Sequence, residues 1–324
     1  MNFFDPAKNK LLRIICPVLA LIIGVSYFAA MKLDFDEDIG HFASGSVPFI
    51  VSIVFTVIAA VLSAASYFSA KKYDIVEDEG LSFIYVFGAV FASALSVTVL
   101  FTGLSDMRLT AIGSYGTFSV SVLSTQNKFE LVSLILSPAL AVSYILSLFD
   151  KTRKSWVRTL FCILSSLCMI FYLFSSYFDF SLPLNSPVKN YLIVLYSSSL
   201  LFLLSEARLS FKVTEKRASY AFTCFSSLLS SSAALGISLG MLAHRVFNPL
   251  INDPNPSVLQ CAMFFAVSLT AFARLCSLHE REKGKKPAEE EAAESVEEEA
   301  SSEKASSEEA SSEEASDTES DTSN

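Results

Sequence analysis

Eight blocks of apolar residues, each about twenty long and separated by short polar connections, restrict this chain to very few folds. Twenty residues of helix is roughly what it takes to cross 30 Å of hydrocarbon. The blocks occupy residues 11–31, 47–70, 81–103, 131–149, 156–178, 190–208, 218–243 and 257–278. Within a bilayer the chain must satisfy its own backbone donors and acceptors, and a helix does so inside each segment. A barrel would need alternating ten-residue strands, which are absent here. The expected fold class is an all-α polytopic integral membrane protein, a bundle of eight transmembrane helices in the lipid bilayer. With 52% of its 324 residues hydrophobic and 18% charged, an ordinary soluble enzyme is excluded.

The net charge of -9 hides two regimes. Residues 287–324 carry fifteen Asp and Glu against the single Lys304, a local balance of -14, while residues 1–286 are positive at +5. The chain thus divides into an eight-helix domain, 1–282, and a Ser/Glu-rich tail, 283–324. Ala300, Ala305, Ala310 and Ala315 recur every five residues, a period that builds no helical face, and the carboxylates repel one another. The tail is expected to be disordered.

Basic residues set the orientation. Lys8, Lys10 and Arg13; Lys71 and Lys72; Lys151, Arg153, Lys154 and Arg158; Arg208, Lys212, Lys216 and Arg217; and Arg281, Lys283, Lys285 and Lys286 all fall on one side of the eight spans. The other side receives Lys32, Arg108, Lys128, Lys189 and Arg245. Both termini are therefore expected in the cytoplasm, N-in and C-in, with the protein in the cell membrane, the cytoplasmic membrane of a bacterium. Residues 109–125 are partly apolar, but a ninth crossing there would reverse every later loop. Gly113 and Gly116 read as turn punctuation, and the alternation from Thr117 to Val122 reads as an external hairpin or cap, with a re-entrant loop as the competing picture. Residues 1–31 resemble a secretory signal in outline, yet the apolar run from Leu11 to Met31 is long for a signal core and is read as a span.

No span carries an ionisable residue near its middle, which argues against a proton relay. Arg13, Glu206 with Arg208, and Arg274 lie close enough to span ends to be expected to snorkel into water. Polarity inside the membrane is mostly serine. In the seventh span Ser227, Ser230, Ser231, Ala234 and Ser238 share one face at 100° per residue, and Gly236 and Gly240 form the small-xxx-small spacing that lets helices approach. Gly88, Ala92 and Ser96 repeat that spacing in the third span. In the fourth, Ser137 precedes Pro138, which removes a backbone hydrogen bond and should kink the helix. Ser137, Pro138, Ser227, Ser231 and Ser238 are the candidates for lining a ligand path; Gly88, Ala92, Ser96, Gly236 and Gly240 are candidates for tight helix packing.

Asp34, Asp36 and Asp38 in the first external loop form a weak candidate for a hard cation, but Gly40 is one place late for an EF-hand and Gly45 stands where its bidentate Glu would be. His244 and Asn248 have the spacing used by some intramembrane proteases without the Glu-Glu-x-x-x-Arg companion those enzymes need. Cys16, Cys162, Cys168, Cys224, Cys261 and Cys276 form no Cys-x-x-Cys pair and suit packing. No phosphate loop, His-Glu-x-x-His or Gly-x-Ser-x-Gly occurs, so neither a catalytic activity nor a cofactor is expected. The reading is a multi-pass membrane protein, permease-like, for a neutral or weakly polar solute. Its alternative is a non-catalytic scaffold or sensor whose acidic tail docks a cytoplasmic protein with a basic surface. Nucleic acid is not an expected partner, and the sequence leaves oligomeric state open.

Overall fold

The computed structural model describes residues 10–36, 40–70, 75–77, 82–115, 123–149, 155–180, 183, 186–211, 216–247 and 256–280. The acidic tail and residues 116–122 and 248–255 lie outside the described residues, Asn248 among them, as does Asp38. Among the described residues, eight helices are long and apolar enough to cross a membrane. They comprise α1 (Lys10–Leu33), α2 (Val47–Ala70), α3 (Phe83–Tyr115), α4 (Thr125–Leu136) followed by α5 (Pro138–Phe149), α6 (Trp156–Tyr177), α7 (Pro187–Ser210), α8 (Lys216–Leu229) continued by α9 (Leu235–Phe247), and α10 (Val258–Ser277). The protein is a multi-pass helical membrane protein.

Two spans are broken, for different reasons. At Ser137 the chain leaves α4, and Pro138, which has no N–H to give, opens α5. The Ser137 hydroxyl donates to the Ser96 carbonyl of α3 at 2.9 Å and to the Leu134 carbonyl at 2.8 Å, so the kink is held from a neighbouring helix. Between α8 and α9 the residues Ser230–Ala234 form a π-helical turn, marked by the Leu235 N–H reaching back to the Ser230 carbonyl. That turn re-phases everything after it. The single serine face expected for a regular seventh span is therefore not one continuous stripe, and Ser227, Ser230, Ser231, Ser232 and Ser238 are all buried.

Residues 109–125 also differ from expectation. The helix α3 runs on through Gly113 to Tyr115, so Gly113 does not punctuate a turn, and α4 starts at Thr125 on the Ser124 cap. The alternating stretch between them lies outside the described residues. At about 1.5 Å per residue, the 33 residues of α3 exceed what a bilayer core needs, and its apolar part ends at Met107.

Packing ranks the spans. In the seventh, 78% of the apolar stretch is buried against protein, and in α2 only 17%. The seventh span is the centre of the bundle and α2 is at its rim. Around the centre stand α1, which runs along α9, α2 and α7 against α8, and α10; α3 lies along α10 and α5, and α4 along α6. At one end an antiparallel pair, β1 (Phe35–Asp36) and β2 (His41–Phe42), closes the α1–α2 connection. At the other, β3 (Ile75–Glu77) pairs with β4 (Leu278–Glu280), while Arg13 Nη2 donates to the Leu278 carbonyl at 2.7 Å. The first turn of α1 and the last of α10 thus share one end, called here the terminal end; the other is the loop end.

Buried serines are compatible with this environment because most donate back to their own helix. Ser63, Ser166, Ser198 and Ser268 each bond the carbonyl four residues earlier, at 2.6 to 2.9 Å. A hydroxyl so occupied behaves toward its neighbours as a small packing group.

Candidate functional site

The most polar element of the interior was not anticipated from the span pattern. Arg158 sits in the first turn of α6, Glu206 about one turn before the end of α7, and Arg274 in the last turn of α10. All three belong to the terminal end. Rather than snorkelling, they turn inward and are 1 to 2% exposed. Arg274 grips Glu206 as a fork, with Nε to Oε1 at 2.7 Å and Nη2 to Oε2 at 2.8 Å, and Arg158 Nη2 reaches Oε2 at 2.7 Å. Arg208, the other group expected at that margin, is exposed.

The geometry has a physical reason. A buried carboxylate is tolerable only when hydrogen-bonded and paired, and the planar guanidinium supplies two parallel donors to it. The Arg274 guanidinium lies 5.7 Å from the centre of the Tyr85 ring on α3. Tyr85 donates to Ser147 at 3.1 Å, and one turn further into the bundle Tyr144 and Thr270 share a hydrogen bond at 2.8 Å. Five helices, α3, α5, α6, α7 and α10, are thus joined by one polar layer.

A signal for this cluster existed in the sequence. Three spans carried an ionisable group near the same end, one acid and two bases, and an acid between two bases at equal depth is the composition of a buried triad. Each group taken alone is close enough to a span end to reach water, so only the three together carry the signal.

The residues proposed for a ligand path do not converge. Ser137 and Pro138 belong to the α4–α5 break, packed on α3 and α6, whereas Ser227, Ser231 and Ser238 lie on the central span. Ser231 donates to the Leu228 carbonyl at 3.2 Å and Ser238 to that of Leu235 at 3.1 Å. Ser227 and Ser230 are different, since their buried hydroxyls have no hydrogen-bond partner; the same holds for Ser66 on α2 and Ser199 on α7. Both α2 and α7 pack against α8.

The packing residues meet neighbours at backbone distance. A Cβ on Gly236 would stand 2.7 Å from the Ala20 carbonyl oxygen, and one on Gly240 2.7 Å from that of Gly24. Gly24 on α1 is the reciprocal member of this contact and was not singled out from the sequence. Gly88 lies against Thr270 and Ala266 of α10, while Ala92 and Ser96 are wholly buried.

At the loop end, Asp34 accepts from Ser46 Oγ at 2.5 Å, and Gly40 turns with φ 71°. Among the described residues no three His, Cys, Asp or Glu side chains converge as metal ligands. The cysteines are unbridged, and all but Cys276 are buried. His244 is buried on α9 beside a cavity of about 20 Å³ lined also by Tyr27, Met31, Met241 and Arg245. No protein-family model, curated protein or solved structure matches the chain.

Proposed function

We propose that this is a permease-like protein of the cell membrane that moves a neutral or weakly polar solute, without catalysis and with both termini in the cytoplasm. One observation carries the reading. The central span loses its α-helical regularity at Ser230–Ala234, and beside that turn the hydroxyls of Ser227 and Ser230 are buried without partners. Buried polar groups are nearly always satisfied, and π-turns inside helices are frequent at functional sites, so unpaired hydroxyls at such a turn point to a ligand that completes them. Ser66 and Ser199 extend the same unpaired character to both helices that flank α8.

In this reading the route follows the central span between α2 and α7. The Ser137–Pro138 break lets the fourth span flex, and the Arg158–Glu206–Arg274 triad holds the terminal end closed. Broken spans are a recurrent feature of transporter sites. Purified protein in sealed vesicles should take up at least one member of a panel of polyols, small amides, neutral amino acids and sugars. Ser227→Leu and Ser230→Leu should each reduce that uptake more than tenfold while the protein stays folded. Vesicles that accumulate none of these classes would remove the proposal.

A second reading rests on the closeness of the packing and the charge of -14 beyond residue 286. It is a scaffold whose acidic tail holds a cytoplasmic partner with a basic surface. Removing residues 287–324 should then abolish co-purification of the partner and leave membrane insertion undisturbed; equal recovery with the truncated chain rejects it.

A further inference from the structure

At the loop end, far along the bundle from the triad, the N-terminal halves of α4, α7 and α10 and the C-terminal part of α6 enclose a cavity of about 10 Å³. Its lining includes Glu130, Tyr172, Ser176, Asp179, Tyr196 and Gln260, and holds no Lys, Arg or His among the described residues. Tyr172 and Ser176, 3% and 8% exposed, both line it, and the buried Ser176 hydroxyl has no hydrogen-bond partner. Lys189 nearby is directed to the main-chain carbonyl of Asp179 rather than into the cavity. Gln260 is fixed by the capping box of α10, where its Oε1 accepts the Ser257 N–H at 2.8 Å. The enclosure is therefore lined by side-chain oxygens from four helices, among them the partnerless hydroxyl of Ser176, with two carboxylates alongside.

We infer that this cavity is a binding site for a small monovalent cation, sodium, stripped of most of its water. Oxygen donors without nitrogen or thiolate select hard cations. A space of about 10 Å³ is close to the minimum for one water, so an ion held there must exchange its shell for protein oxygens. Magnesium, which keeps several waters, does not fit such a space, and calcium calls for six to eight oxygens, usually with several carboxylates. Neutral hydroxyls outnumber carboxylates in this lining, which suits a single charge. Hydroxyl oxygens that accept no bond can direct lone pairs to the ion while their protons turn outward. The site stands apart from the permease reading, because its occupancy is measured as binding and needs no transported solute.

The experiment uses the full chain purified in detergent, with thermal unfolding followed by a thiol-reactive dye that reports exposure of the buried cysteines. Midpoints are compared in sodium, potassium, calcium and choline chlorides at equal ionic strength. Sodium should raise the midpoint along a saturating curve that choline does not reproduce, as expected for a ligand that binds only the folded state. Ser176→Ala and Glu130→Gln should each raise the half-saturating sodium concentration at least tenfold, while Asp34→Asn, in the other acidic loop of the same end, should leave it unchanged. Should Glu130→Gln fail to fold, Ser176→Ala and Tyr172→Phe test the same cavity with neutral changes. Equal midpoints in sodium and choline, indicating an ordered water only, would overturn the assignment. So would a sodium response undiminished in the Ser176→Ala, Tyr172→Phe double variant, or a response to calcium in place of sodium.

Discussion

Whether a buried charge is an anchor or a liability depends on what remains when its partner is taken away. Glu206 accepts from two guanidinium groups, and the set is 1 to 2% exposed. Glu206→Gln leaves two buried cations facing a neutral amide, a change that costs about 3–5 kcal/mol when a buried pair is broken. Thermal unfolding in detergent should register it as a large drop in the midpoint. The triple variant Arg158→Met, Glu206→Met, Arg274→Met removes all three charges together, and apolar replacement of a whole buried ionic set is often neutral or stabilising. It should therefore melt above the single variant despite carrying three changes. A triple variant that melts lower than Glu206→Gln would show that the layer does more than neutralise itself, for instance through Arg274 against the Tyr85 ring. At this scale the sequence was only partly legible. The residue types and their nearness to span ends could be read directly, but whether a long side chain reaches water or turns inward depends on which helices face each other, and a one-dimensional pattern does not contain that.

Among the elements, the contact of α1 with α9 depends on glycine in a way that the volume of a side chain makes testable. Gly24, Gly236 and Gly240 stack so that a Cβ on any of them would meet a backbone carbonyl oxygen at 2.7 to 2.9 Å. A carbonyl in a helix cannot swing aside as a side-chain tip can. Gly240→Leu should force the two helices apart and destabilise the protein by about 1–3 kcal/mol or more, the usual range for overpacking, read as a lowered unfolding midpoint. Gly45→Ala is the useful contrast, since no atom lies within 4 Å of its Cβ position and only φ +84° opposes it. That change should cost about 1 kcal/mol, the scale of forcing a Cβ into left-handed backbone. Ser137→Ala is smaller still: it removes the hydroxyl that ties the fourth span to the Ser96 carbonyl, and such bonds inside membranes average about 0.6 kcal/mol. The spacing of Gly236 and Gly240 and the proline at 138 were visible as patterns because each acts locally. The π-turn at Ser230–Ala234 was not, since a helical wheel assumes the regularity that the turn breaks, and nothing in a run of Ser and Ala reveals an extra residue in a turn.

For the molecule as a whole, eight spans were legible because the bilayer imposes a length on every one of them, whereas the connections face no comparable demand, and at 109–115 α3 continues where a turn was expected. An even number of crossings puts the start of α1 and the end of α10 on the same side, and the Arg13 bond to the Leu278 carbonyl shows the two ends in contact. The proposal that this side faces the cytoplasm rests on the basic residues of the sequence, although Arg158, counted among them, is buried with Glu206 and contributes nothing to the surface. Its removal leaves the asymmetry intact, so the orientation does not hinge on it. Cysteine labelling gives a direct measurement, since five of the six native thiols are buried and the half-buried Cys276 can be replaced by Ser. In sealed right-side-out vesicles, an impermeant maleimide should label Ser44→Cys and Thr125→Cys, both at the exposed loop end, and leave Trp156→Cys and Phe211→Cys unlabelled until the membrane is opened. Inverted vesicles should give the reverse. Labelling of Ser44→Cys and Trp156→Cys from the same side would contradict the eight-span bundle itself, while a full exchange of the two pairs would preserve the bundle and reverse only its direction in the membrane.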